Sequence, residues 1–299
     1  MSAVLSDSAT RRVSRFAVPD LGVGVGLRVP HYAHVAEQRP AMPWFEALSE
    51  NFMVEGGSPL HWLDRVREHY PIVLHGVSMS LGSDEDPDHT RRLRALCDRV
   101  DTPWVSDHVC FTRAAAAHGQ PPGINTHDLL PVPYEPRTLA HMVDRCKRAA
   151  DALGRVFAIE NPSSYLGFRA SSMPEWDFVA ALAEQADVGI LLDVNNVFVS
   201  SVNHGFDPMA YLDAIPADRV VQIHLAGHSV MEGYRLDTHD APVCDEVWDL
   251  YRRVIERIGP VSTLIEWDGN IPSWDRLAEE AAAARRIRED AVAVWAARG

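Results

Sequence analysis

Eight apolar, β-branched runs recur along this chain with helical patterns between them, and that alternation constrains the fold more than any other feature. The runs cover residues 22–28, 44–51, 71–78, 104–111, 156–162, 188–197, 220–226 and 261–268. Most are nearly continuous hydrophobic stretches, as strands covered on both faces should be. Between them, apolar residues return at helical spacing after proline-marked starts. Ser58-Pro59 precedes Trp62, Val66 and Tyr70, Asp86-Pro87 precedes Leu93, Leu96 and Val100, and Pro136 precedes Met142, Cys146 and Leu153. Met173-Pro174, Asp207-Pro208 and Ala241-Pro242 each offer a proline for a helix's first turn, where its missing N–H costs nothing. An Ala-, Glu- and Arg-rich stretch from 272 to 297 predicts a closing helix.

Eight strands alternating with helices predict an α/β fold, a (β/α)8 barrel forming one domain over residues 21–299 behind a flexible tail, residues 1–20. A doubly wound open sheet would instead call for a Gly-rich phosphate loop after the first strand. Gly22-Val-Gly-Val-Gly26 alternates its glycines inside the strand, so it takes no nucleotide role. The connection over 113–135 is long and follows the fourth strand, which makes it a candidate lid or peptide-binding loop.

Charge and cysteine usage narrow the function classes. A formal charge of −14 over 299 residues argues against a phosphate-backbone-binding face, so no nucleic-acid partner is expected. Cys97, Cys110, Cys146 and Cys244 show no CxxC pairing and suit reduced thiols in the cytoplasm. No run reaches the ~18 apolar residues of a membrane span. Arg11, Arg12 and Arg15 near the start are not followed by the apolar core of a secretory signal, so a soluble cytoplasmic protein is expected.

A barrel's chemistry lies at the C-terminal ends of its strands, and those positions are unusually rich here. They hold Glu50 and Asn51, His75, Asp107 and His108, Glu160 and Asn161, Asp193 with Asn195 and Asn196, His224, and Glu266 with Asp268. The loop after the seventh strand adds His228, Asp237 and His239. A single such residue is ordinarily a hydrogen-bonded structural group. Seven of eight strands delivering one to the same rim is different, because packing them without cations costs several kcal/mol. A metal cluster is therefore expected. His69, His89 and His141 fall on helical patterns and are expected to face solvent.

The spacing suggests His75, His108 and Glu160 as one site. Asp193, His224 and Glu266 suit a second with Glu160 bridging, and Asp237-x-His239 plus one group near Asp193 a third. This layout resembles the xylose-isomerase-like barrels, including the trinuclear endonuclease IV type, although that type carries histidine where this chain has Asn196. Imidazole and carboxylate donors without cysteine suit iron and manganese as well as zinc.

The segments "LHGVSMSLG", "SDH", "ENPSSY", "LLDVNNVFVSSVNHGFDP", "IHLAGH", "DTHD" and "LIEWD" resemble, in order and over nearly the whole chain, the multinuclear non-heme iron-dependent oxidative enzymes. The resemblance implies a TIM barrel with two or three iron ions of mixed Fe(II)/Fe(III) valence and O2 as co-substrate. It implies oxidation of a ribosomally made precursor peptide, usually at cysteine, with a small leader-binding partner protein. The family's ligands carry over as His75, His108, Glu160, Asp193, Asn196, His224, Asp237, His239 and Glu266. Glu160, His224 and Asp193 stand at the catalytic centre, and His228, Asn161, Glu50 and Asn51 are candidates for substrate contact. Asn195 is an alternative to Asn196, since strand alternation from Asp193 would turn Asn195 inward. A redox-neutral metal barrel, either a sugar isomerase or epimerase or an endonuclease IV-like phosphodiesterase, is the competing class. The isomerase would want a lysine beside the metal, and Lys147, on a helical pattern, is the only lysine. A non-catalytic peptide-binding scaffold is a third class, one with no need of a full ligand set.

Overall fold

The computed structural model of the protein describes residues 14–113 and 125–298. Eight parallel strands close into a barrel: β1 (Val23–Gly26), β2 (Phe45–Leu48), β3 (Ile72–His75), β4 (Trp104–His108), β5 (Val156–Glu160), β6 (Gly189–Asp193), β7 (Val220–Leu225) and β8 (Ser262–Ile265). Each of the eight apolar runs contains one of them. Helices α1 (Tyr32–Gln38), α2 (Ser58–Arg67), α3 (Pro87–Val100), α4 (Pro136–Leu153), α5 (Glu175–Ala186), α6 (Val194–His204), α7 (Pro208–Ala214), α8 (Asp245–Ile258) and α9 (Trp274–Ala297) surround it. Among the described residues no helix is long and apolar enough to cross a membrane.

The barrel interior is layered from apolar to polar. At the N-terminal end Trp44, Val73, Trp104, Ala158, Leu191, Val221 and Leu264 form a buried plug. Residues from Ser14 on, expected as flexible tail, instead lie against this end. Phe16, Val18 and Leu21 pack on the plug, and the Arg15 N–H donates to the Asp218 carbonyl at 2.8 Å. The earlier tail residues, 1–13, lie outside the described residues. Above the plug sit Glu46 and Gln222, both fully buried, and above them the histidines and carboxylates of the rim.

Two local departures from regular strands position the site. The β6–β7 register shifts between Ile190 and Leu191, leaving Val221 as the extra residue. Such a bulge re-aims the residues that follow, here Gln222 and His224. The second departure is at Asp193, which ends β6 and also caps α6, its Oδ1 accepting from the Asn196 N–H at 2.6 Å. The chain therefore turns into a helix with no loop, whereas the apolar run through residue 197 reads as continuous strand. Pro136 and Pro208 occupy first helical turns as expected, but Pro174 is itself the N-cap of α5 and Pro242 precedes the Cys244 N-cap of α8.

The long connection after β4 contains a strand pair, Phe111–Arg113 with Asn125–Leu130. Residues 114–124, the middle of the proposed lid, lie outside the described residues. A second hairpin, Ser229–Met231 with Tyr234–Leu236, follows β7.

Candidate metal centre

Strand register brings the polar residues together before any side-chain preference acts. His108 is the cross-strand neighbour of Glu160, Asp193 of His224, and His75 of Ser106. The resulting groups match two of the three expected sites. His75, His108 and Glu160 gather in one cluster, and Glu160, Asp193, His224 and Glu266 in a second, so Glu160 belongs to both. Its Oε2 lies 3.2 Å from His75 Nε2 and 3.1 Å from His108 Nε2, while its Oε1 lies 3.4 Å from His224 Nδ1. His239 stands 3.3 Å from Glu266 and 3.0 Å from Asp268 through Nδ1, and 2.6 Å from Asp237 through Nε2. His239 thus has Glu266 and Asp268 on its Nδ1 side and Asp237 on its Nε2 side.

The site's unsatisfied atoms carry the metal argument. Glu160 Oε2, Asp193 Oδ2, Asn196 Oδ1, His224 Nδ1 and His239 Nε2 are all buried without a partner in hydrogen-bonding geometry. Native proteins rarely leave one such atom unpaired, and each costs about 1–3 kcal/mol when nothing binds it. Five in one rim fit a set of cation ligands.

The opposite nitrogen of each histidine has its own partner. His75 Nδ1 meets Ser106 Oγ at 2.9 Å, and His108 Nδ1 the Gly76 carbonyl at 3.2 Å. His224 Nε2 meets Glu46 Oε2 at 3.0 Å, and His239 Nδ1 meets Asp268 Oδ2. An N–H held this way fixes the ring and leaves the other nitrogen free as a donor, the usual arrangement behind metal-binding histidines.

Electrostatics show how unfavourably these groups coexist without a cation. Burial pushes Glu160 up to about 7 and Asp193 well above the usual carboxylate range. Burial and the neighbouring His108 hold His75 well below its ordinary value. For His224 burial works downward, but the carboxylates of Glu46, Glu266 and Glu160 outweigh it and hold the imidazole well above its ordinary value. Burial likewise opposes ionisation of Glu266, yet His224 and His239 keep it well below the carboxylate range.

The asparagines separate cleanly. Asn195 is occupied, its Nδ2 donating to Asp237 at 2.9 Å and its Oδ1 meeting His228 Nδ1 at 2.8 Å. Asn196 donates through Nδ2 to the Asn161 carbonyl and keeps Oδ1 unpaired beside the cavity. The strand-alternation argument for Asn195 fails because α6 has already begun there. His228 packs at a tilt against Phe198 and is linked to Asp237 through Asn195. Asn161 clamps β6, accepting from the Asp193 N–H and donating to its carbonyl, both at 2.9 Å. Asn51 is exposed beyond β2, and Glu50 accepts from the Val77 N–H at 3.1 Å.

Over the cluster lies a cavity of ≈ 310 Å³ lined by His75, His108, Asn196, Asp237, His239 and Glu266. Val77, Asp128, Leu129, Ser163 and Tyr165 also line it, so the excursion after β4 does reach the site. The Tyr165 hydroxyl accepts from the Asp237 N–H at 2.9 Å.

Four site residues were absent from the sequence-based candidates. Glu46 is a mid-strand carboxylate in an otherwise apolar run, and that anomaly was its signal. Arg28, just past β1, pairs with Asp268 at 2.6 Å and approaches Glu266 at 3.6 Å, so β1, the one strand without a rim candidate in the sequence, contributes a cation. Ser106 and Gln222 carry no sequence signal of their own. His89, expected to face solvent, is 5% exposed and lies near Glu50 and Asp107. His69 is exposed and His141 half-buried.

Comparison with known proteins bears on what this centre serves. The profile of the RiPP precursor modification enzyme MbnB/TglH/ChrH family matches residues 22–289. The UPF0276 protein of Anaeromyxobacter sp. strain Fw109-5 is 51% identical over 276 residues, 91% of this chain and 95% of that protein. A UPF0276 protein of Caulobacter vibrioides is 50% identical over 267 residues, 88% of this chain and 93% of that protein. Among solved structures, D-psicose 3-epimerase from Clostridium cellulolyticum H10 superposes with a TM-score of 0.57 at 12% identity, covering 91% of this chain and 99% of that one. A xylose isomerase-like TIM barrel protein from Mycobacterium smegmatis, in complex with magnesium, gives 0.51 at 15% identity, with 81% of each chain covered. Those likenesses establish a xylose-isomerase-like TIM barrel, and the chain belongs to the RiPP precursor modification enzyme MbnB/TglH/ChrH family.

Proposed function

We propose that this enzyme is an O2-dependent, multinuclear non-heme iron oxidase that modifies a ribosomally made precursor peptide at cysteine. The observation that carries the reading is the set of five unpaired buried donor atoms gathered around a carboxylate shared by two clusters. The donors are imidazole nitrogens and oxygens with no thiolate, a set that suits iron in either common oxidation state. His75, His108 and Glu160 would hold one ion, and Glu160, Asp193, His224 and Glu266 a second. Asp237, His239 and Asn196 would serve a third. Bound iron would supply a Lewis acid for the substrate thiolate and electrons for O2.

The chain's own residues do the rest. Glu46 and Asp268 fix the two imidazoles that face the carboxylates, so ligand geometry is set before substrate arrives. Arg28 offsets part of the negative charge at Glu266 and Asp268. Asp128, Leu129 and Tyr165, which line the cavity, are placed to contact an extended peptide. None of the chain's four cysteines lines that cavity, in keeping with a reacting thiol that belongs to the substrate. A small leader-binding partner protein delivers the peptide, and the reaction takes place in the cytoplasm.

The test is reconstitution with Fe(II) under argon, with a cysteine-bearing precursor peptide and leader-binding partner sought among the neighbouring genes, followed by mass spectrometry with and without O2. An O2-dependent mass change that disappears when the peptide's cysteine becomes serine is the expected result. Equal turnover without O2, or with a redox-inert metal, would instead establish the redox-neutral class.

A further inference from the structure

Behind the rim, on the outer side of β3 and β4, lies a second group of donors that the proposed reaction does not use. Strand alternation turns Ser106 and His108 into the barrel and Asp107 outward toward α3. There Asp107 meets His89, from the first turn of α3, and Glu50, from the turn after β2, with one donor atom of each within 4.8 Å of the others. The side chains are enclosed: Asp107 is fully buried, that of His89 7% exposed and that of Glu50 23%.

Two atoms in this group have no partner, His89 Nε2 and Glu50 Oε2. His89 Nε2 lies 3.9 Å from Glu50 Oε1. That is too long for a hydrogen bond, yet within the ~4.2 Å that two ligands each ~2.1 Å from one ion can span. The remaining carboxylate oxygens are already oriented. Glu50 Oε1 accepts from the Val77 N–H at 3.1 Å, Asp107 Oδ2 from the Met79 N–H at 3.1 Å and Asp107 Oδ1 from the His108 N–H at 2.8 Å. Each still has a lone pair to give. Among the described residues no lysine or arginine pairs with Glu50 or Asp107, so two enclosed carboxylates lack a side-chain counter-ion. Room for Asp107 is made by Gly76, where any Cβ would collide with Asp107 Oδ2.

We propose that His89, Glu50 and Asp107 form an additional divalent-cation site, separate from the rim cluster, that takes a first-row transition ion such as Zn²⁺, Mn²⁺ or Fe²⁺. One imidazole and two carboxylates are a standard donor set for such ions. The ion ties together three elements: the turn after β2, the start of α3, and β4 one residue before His108. Its role is structural, holding the segments that carry His75 and His108 in place. The proposal rests on residues outside the rim cluster and stands whether or not the rim holds iron.

Crystals of the full-length protein loaded with Zn²⁺ provide the direct test. An anomalous zinc peak among His89 Nε2, Glu50 and Asp107 is expected, besides any at the rim. Zinc at the rim with none at this position would overturn the proposal. In solution, desalted Zn²⁺-loaded His89→Ala and Glu50→Gln should each carry about one equivalent fewer than wild type. Glu160→Gln should keep zinc at the His89 position while losing it from the rim. Two folded variants with wild-type stoichiometry would be equally fatal.

Discussion

Glu160→Gln perturbs the one residue shared by two clusters while preserving its shape. The carboxylate now lies 3.2 Å from His75, 3.1 Å from His108 and 3.4 Å from His224. An amide keeps one oxygen donor, replaces the other with an NH2 that cannot ligate, and removes the negative charge. Loss of a mere supporting partner lowers metal affinity about 10–100-fold, or roughly 1.4–2.7 kcal/mol, so loss of a ligand should cost at least that at both positions. The metal-free protein should respond with the opposite sign. Burial raises Glu160 to about 7 against an ordinary 4.5, so between those values the native state holds a proton that the unfolded state has released. Stability is full below pH 4.5 and falls as pH rises through 7, by on the order of 3 kcal/mol at most. At pH 8 in EDTA, Glu160→Gln should therefore melt above wild type, and with Fe(II) or Zn(II) below it. Calorimetry with and without metal, alongside metal analysis, reads both. A variant that keeps full metal occupancy, or that is destabilised equally in EDTA, would refute the bridging role.

Glu46→Ala should weaken metal binding at the His224 position about 10–100-fold by freeing the ring that Glu46 holds at 3.0 Å, measurable by competition with a chelating dye. Gly227→Ala should displace the loop bearing Asp237 and His239, because its Cβ would collide with the Ala241 carbonyl. The expected result is a loss of about one metal equivalent with the barrel still folded, read by elemental analysis and circular dichroism. Glu175, half-buried and hydrogen-bonded by the Tyr134 and Tyr211 hydroxyls at 2.9 Å, is raised by desolvation to about 7 from an ordinary 4.5. The native state again holds the extra proton, so this residue's share of stability is lost as pH rises from about 4.5 through 7. Urea unfolding in EDTA should show a shallower decline in that window for Glu175→Gln than for wild type.

The barrel and most of its rim were legible because burial on both faces forces apolar runs, and a polar residue ending such a run stands out. Legibility failed where position depends on chain path rather than on pattern. Asn195 looked inward-facing on a strand that in fact ends at Asp193; Asp is a favoured helix cap, but an unbroken apolar run through Val197 masked that role. Asp237 and His239 stood out in the sequence, but the approach of His239 to Glu266 and Asp268 is a long-range property of the loop. His89 was readable in principle: it leads the buried series Leu93, Leu96 and Val100 on α3, and its helical position alone made it seem exposed. Arg28 and Gln222 became visible only once the strands were closed into a barrel.

Iron in the rim is read straight from the protein's metal content. Protein produced with iron supplied and purified anaerobically should carry at least two irons per chain, with a Mössbauer spectrum of high-spin, nitrogen- and oxygen-ligated ions. Less than about one iron per chain, with zinc filling the same donors, would show that the rim is not an iron centre.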